Sequence, residues 1–172
     1  MASIPSAAAS TLVGLLAVRG LTVATGESLT AGLVAATLAE VPGCSAVLRG
    51  GIVAYDRAVK ASLLGVGPAE LAVGVVSEAV AVAMARGARA RLAADVGVGT
   101  TGVAGPDPLE GEPVGSVWIA VATDALTRTE HLSLTGDRGD IRCQTVAACL
   151  GLISAMLEAT VPQGEESALL GE

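Results

Sequence analysis

Phenylalanine is absent from this chain, and tryptophan, tyrosine, histidine and lysine occur once each, as Trp118, Tyr55, His131 and Lys60. That scarcity rules out large aromatic stacking platforms. Ten basic against seventeen acidic side chains leave a net charge of -7, which opposes attraction to phosphate backbones and anionic lipid. Neither nucleic acid nor a membrane is an expected partner. The three cysteines, Cys44, Cys143 and Cys149, form no CxxC pair, and one histidine cannot complete an ordinary zinc shell with them. No metal and no disulfide framework are expected. Apolar runs are broken by Gly, Arg or Asp before the roughly 18 residues a bilayer span needs. The apolar start, Met1 to Val18, lacks a basic n-region and reads as a first helix. A soluble, cytoplasmic protein is the expectation.

What is present is 172 residues, 52% hydrophobic, whose core must come from Ala, Val, Leu and Ile. The length suits one domain over 1–160, with the polar, acidic 161–172 as a tail. Spacing predicts a helix over Ser6 to Val18, a strand over Leu21 to Thr25, a helix over Ser28 to Val41 and a strand over Ala46 to Tyr55. Asp56 caps a short helix ending near Gly65, and a long helix covers Ser77 to Ala93. A strand over Val96 to Thr100 runs into a loop from Thr101 to Pro106. Val114 to Thr123 and Thr127 to Leu134 form a hairpin joined at Asp124-Ala125, and Asp137 opens a last helix reaching about Ala159. Alternating helices and strands predict an α/β fold, a three-layer α/β/α sandwich with a mixed sheet, with ligands gathering beyond strand ends.

Nine of the ten basic residues are arginine, so the lone Lys60 marks a position where a titratable amine is wanted. The alternative is a surface pair with Asp56 at i,i+4, worth about 0.2–0.5 kcal/mol. Tyr55 lies five residues earlier, where its hydroxyl can relay or orient a proton. An amine that activates a nucleophile needs a hydroxyl, and two serines stand in suggestive turns. Ser45 follows Pro42-Gly43-Cys44. Ser28 lies in Thr25-Gly26-Glu27-Ser28-Leu29-Thr30-Ala31-Gly32, a strand-to-helix turn with free N–H groups, unless it merely caps the helix. Arg138 and Arg142, four residues apart at a helix start, suit a ligand phosphate or local pairing with Asp137 and Asp140. Thr101, Gly102, Gly105 and Pro106 fit a ligand-cradling loop or a tight turn. His131 reads as structural or exposed, and Cys44 lacks a positioned histidine.

Taken in order, Glu27-Ser28-Leu29-Thr30-Ala31-Gly32, Gly43-Cys44-Ser45, Tyr55 through Lys60, Val76-Ser77-Glu78, Thr101 to Asp107 and Gly136-Asp137-Arg138 resemble the CinA C-terminal domain family, the nicotinamide-nucleotide amidohydrolases. The resemblance spans about Ser6 to Leu157. It implies deamidation of nicotinamide mononucleotide to nicotinate mononucleotide and ammonia, in pyridine-nucleotide salvage, with no cofactor and no metal. It implies serine-lysine chemistry on Ser45, Lys60 and Tyr55, with Ser28 as a neighbouring group or rival nucleophile. Substrate contacts fall on Glu27, Thr30, Thr101, Gly102, Gly105, Arg138 and Arg142. The family's Glu-Ser-Cys-Thr-Gly-Gly carries Leu29 and Ala31 in place of its cysteine and first glycine, and Pro108 to Pro113 replaces a commoner Gly-Gly start. A catalytically silent nucleotide-binding or regulatory module is the alternative, and a homo-oligomer is expected.

Overall fold

A computed structural model describes residues 6–159. The expected tail at 161–172 lies outside them. α1 (Ser6–Val18) leads through a Gly20 turn to β1 (Val23–Glu27), and α2 (Leu33–Ala39) follows. A single 3-10 turn, Cys44–Ala46, precedes β2 (Leu48–Val53). Next come α3 (Arg57–Leu64), a short α4 (Pro68–Ala72), α5 (Glu78–Arg91) and β3 (Val96–Gly102). β4 (Ser116–Ala122) and β5 (Thr127–Ser133) form the expected hairpin, and α6 (Arg138–Glu158) closes the described chain.

The five strands make one mixed, open sheet in the order β2-β1-β3-β4-β5. β1 runs parallel to both β2 and β3, whereas β3-β4 and β4-β5 are antiparallel. α1, α2 and α6 cover one face and α3, α4 and α5 the other, so the expected three layers are present. Because β2 and β3 lie on opposite sides of β1, their crossovers diverge there and leave a crevice at its carboxyl end. Ser28, the first residue after β1, stands at that crevice.

α6 has the length and apolar composition of a membrane-crossing helix, with a mean hydropathy of 1.3 over its most apolar window. Half of that window is buried, and Ile141, Val146, Leu150 and Ile153 pack into the core with α1, β1 and β4 side chains. It is a core helix. The second apolar face is thinner, because small residues bring β3 against α5. A Cβ on Gly97 would lie 2.0 Å from the Ala85 carbonyl oxygen, and one on Gly99 2.1 Å from that of Ala81.

A helix start and an added helix differ from the sequence reading for identifiable physical reasons. The helix expected from Ser28 begins only at Leu33, because Ala31 (φ 50) and Gly32 (φ 91) take left-handed conformations that turn the chain first. α4 was not expected; Pro68 at its first position starts it, but five residues carry too little periodicity to register. Close backbone approach makes the β3-α5 contact intolerant of bulk. Gly99→Ala is expected to lower the unfolding free energy in urea by about 1–3 kcal/mol, and an unchanged midpoint would show that the layers can separate freely.

Candidate active site

The strand ladder brings the site together. Glu27, the last residue of β1, is in register with Val53, the last of β2, and with Thr100, while β3 runs on to Gly102 beside β4. One residue on, the Ser28 amide donates to the Thr100 carbonyl at 3.0 Å, and the Ala54 amide donates to the Glu27 carbonyl at 2.8 Å. The chain leaves β2 through Ala54 and Tyr55, and Asp56 caps α3 by accepting from the Ala58 amide at 2.7 Å. That cap fixes where the helix begins and which side chain turns inward. Lys60 turns inward.

Lys60 is 1% exposed, and Asp56 is spent on its own helix cap, so the surface ion pair considered from the sequence does not form. The Lys60 Nζ lies 2.9 Å from Ser28 Oγ, 2.9 Å from the Ala54 carbonyl oxygen and 2.9 Å from that of Tyr55. Burial is the largest influence on its pKa and pushes it below the ordinary 10.5, helped by Arg57 and opposed by Asp56 and Glu110. Three such partners satisfy an ammonium's three donors and equally, with Ser28 donating, a neutral amine. Carbonyls only accept, so an amine with two hydrogens spends both on Ala54 and Tyr55. Its lone pair then takes the remaining tetrahedral direction, toward the Ser28 hydroxyl, which is itself 8% exposed.

Ser45 is elsewhere. It sits exposed in the 3-10 turn before Leu48, whose register partner Val23 opens β1, so it lies at the opposite end of the sheet. A strand's length, roughly 20 Å, separates it from Lys60. The serine paired with the amine is Ser28. Tyr55 contributes its carbonyl rather than its hydroxyl: the residue is 56% exposed, and the hydroxyl accepts from Arg138. Arg138 also donates to the Gly105 carbonyl at 2.7 Å, tying the start of α6 to the loop after β3.

Several residues expected to contact substrate instead hold the frame. Glu27 is fully buried, and its carboxylate accepts from Thr25 Oγ1 and from the Val34 and Ala35 amides at 2.8, 3.1 and 2.9 Å. It serves the otherwise unpaired donors at the start of α2. Thr30 Oγ1 pairs with Thr100 Oγ1 at 2.8 Å. Arg142 donates through Nε to the Leu29 carbonyl at 3.0 Å and through Nη2 to that of Thr30 at 2.8 Å, so those two donors face backbone. Thr101 points to the other sheet face and donates to the Val75 carbonyl. Gly102 packs on β4, where an added Cβ would come within 2.7 Å of Val117. Leu29 is buried in the core, so the leucine there does not reshape the crevice.

Thr100 escaped the sequence reading although a signal existed. Val96 and Val98 face the α6 side, so period two puts Thr100 on that face beside Ser28 and Thr30 and sends Thr101 away. His131 stacks on Trp118 with centroids 4.5 Å apart, remote from the amine's partners. Cys149 is buried and its thiol pushed up by burial, and Cys44 donates to the Ala39 carbonyl. Neither thiol adjoins Lys60.

With this geometry established, known proteins supply the context. The family model described as the CinA C-terminal domain matches residues 6–157. A CinA-like protein of Frankia casuarinae is 49% identical over 155 residues, covering 90% of this chain but 36% of that protein. One from Anaeromyxobacter dehalogenans is 50% identical, with 85% of this chain and 36% of its own length covered. The chain thus spans little more than a third of these relatives. Among solved structures, the competence/damage inducible protein CihA of Agrobacterium tumefaciens superposes with a TM-score of 0.86 at 34% identity, covering 92% of this chain and 99% of that one. The competence damage-inducible protein A of Klebsiella pneumoniae gives 0.89 at 30% identity, covering 92% and 100%.

Burial of the amine leaves a thermodynamic trace. The unfolded chain binds the Lys60 proton more tightly, so between the lowered folded value and 10.5 it holds more protons and stability rises with pH. This contribution is complete above 10.5 and is lost as pH falls through the folded pKa. Urea unfolding of the native chain and Lys60→Met at a series of pH values is expected to show the native chain gaining on the variant as pH rises. A difference constant with pH contradicts the depressed pKa.

Proposed function

This chain belongs to the CinA C-terminal domain family, and from the surroundings of its single lysine we propose that it is an amidohydrolase whose nucleophile is Ser28 and whose general base is Lys60. The observation that carries the reading is the amine held by two carbonyls and one hydroxyl in a water-poor crevice. A serine hydroxyl is too weakly acidic to attack an amide unaided; a neutral amine at 2.9 Å can take its proton as the new bond forms. The substrate, on the family resemblance, is the carboxamide of nicotinamide mononucleotide.

Ser28 Oγ attacks the carboxamide carbon while its proton passes to Lys60, giving a tetrahedral oxyanion. The Leu29 amide, next to Ser28 in the same turn, has no acceptor among the described residues and is the candidate to receive that charge. Lys60, now an ammonium, returns the proton to the departing nitrogen, so ammonia leaves and an acyl-serine remains. Water, deprotonated by the same amine, then releases nicotinate mononucleotide. Arg138 stands exposed at the mouth beside Tyr55 and Gly105, at the positive end of α6, and is the candidate grip for the phosphate.

Ammonia release from nicotinamide mononucleotide tests the assignment. Ser28→Ala and Lys60→Ala are each expected to reduce kcat by at least about 10²-fold, Ser45→Ala to leave it unchanged, and the native rate to climb with pH as Lys60 loses its proton. Loss on Ser45→Ala with retention on Ser28→Ala would reverse the nucleophile assignment. Saturable binding of the mononucleotide without ammonia release by the native chain would identify a silent binding module instead.

A further inference from the structure

β5 is the last strand of the sheet, and one row of its backbone groups faces no other strand. Its pairing with β4 runs from Ser116–Ser133 to Ala122–Thr127 with no break in register. Hydrogen bonds fix both ends of that ladder. The Thr123 amide donates to the Leu126 carbonyl at 2.8 Å, and the Leu134 amide to the Gly115 carbonyl at 2.9 Å. Alternation along an antiparallel pair then turns the N–H and C=O groups of Arg128, Glu130 and Leu132 toward β4, and those of Thr127, Thr129, His131 and Ser133 outward. Among the described residues these outward groups have no hydrogen-bond partner. An exposed edge is normally blunted by a bulge, a proline or a covering element. β2, the opposite edge, carries such an irregularity, a register shift opposite Val23 and Ala24 with Gly50 at φ 147. β5 has neither bulge nor proline.

The side chains of this edge suit a second copy of itself. Thr127 and Thr129 turn toward α5, where Thr127 Oγ1 accepts from Arg86 at 3.2 Å and Thr129 Oγ1 donates to Glu78 at 2.6 Å. Period two therefore puts Arg128, Glu130 and Leu132 on the other sheet face. Glu130 is exposed and Arg128 half-buried, and neither forms an ion pair or a side-chain hydrogen bond among the described residues. We propose that β5 is the seam of a twofold homodimer, pairing antiparallel with β5 of a second copy about Thr129 to make one continuous sheet. Outward groups must meet outward groups, which centres the pairing on a residue, and charge selects the residue. A centre at Arg128 sets arginine against arginine, and one at Glu130 sets glutamate against glutamate. Centres at Thr127 or His131 set neither against an opposite charge. A centre at Thr129 sets Arg128 directly opposite Glu130 of the second copy, twice over by symmetry, at positions where facing side chains approach closest. The same register sets Leu126, 39% exposed, opposite Leu132, and pairs Thr127 with His131, so that roughly six backbone hydrogen bonds close the seam. The proposal stands apart from the Ser28–Lys60 reading, since β3 and β4 separate β5 from β1.

Sedimentation velocity of the full chain across micromolar concentrations tests this. The native chain is expected to be a dimer. Arg128→Glu and Glu130→Arg each set like charges opposite one another at two places, so each is expected to raise the dimer dissociation constant by at least about tenfold. Combining them restores opposite charges in the same register, and the double variant is expected to dimerise like the native chain. Thr129→Pro removes an N–H that β4 does not use, so it is expected to abolish the dimer while urea unfolding shows the fold intact. Should that variant not fold, the charge exchange decides alone. A monomeric native chain overturns the proposal. A dimer that both single charge variants leave intact overturns it too, by showing that another surface forms the contact. A double variant that stays monomeric while each single variant dissociates contradicts the register and, with it, the proposal.

Discussion

The arrangement depends on one expensive placement, an amine almost wholly removed from water with no carboxylate in contact with it among the described residues. A buried ammonium is costly, and that cost lowers the Lys60 pKa and favours its neutral form. Three polar partners at 2.9 Å satisfy it in that state, and among the described residues no buried side-chain nitrogen or oxygen lacks a partner. Two of those partners exist because β2 is an edge strand. Past Val53 the chain peels away, leaving the Ala54 and Tyr55 carbonyls free to turn back on α3.

The turn that carries the opposing hydroxyl is held at its backbone from three directions. β3 fixes it through the Thr100 carbonyl and hydroxyl, Glu27 anchors the turn to α2, and Arg142 anchors it to α6. Composition and precision are linked here. A core of Ala, Gly and Val brings α5 and β3 to backbone contact, so the layers have little freedom to slide. A chain without phenylalanine gains rigidity through closeness rather than bulk.

Much of the fold was legible in residue pattern: α1, the Asp56 and Ser77 caps, the β4-β5 hairpin and the start of α6 all follow local chemistry. The site was legible in kind but not in detail. Lys60 stood out by being the only lysine, yet the choice between Ser45 and Ser28 depends on which end of a parallel sheet each occupies, and local pattern carries no such information. Thr101 was taken for Thr100 because a one-residue step along a strand reverses the face. Glu27 and Arg142 were read as ligand contacts because charge in a loop looks the same whether it meets a substrate or a backbone. Only long-range packing, 113 residues apart for Arg142 and Leu29, separates the two.

Because Lys60 is the only lysine, uniform 13C labelling of lysine produces a single side-chain Cε resonance, which can be followed directly against pH in the folded native chain. The account predicts a midpoint below 10.5, with the resonance at its neutral-amine position above that midpoint. A midpoint at or above 10.5 would mean that Lys60 stays charged beside Ser28, and the proposed activation of the serine would be contradicted.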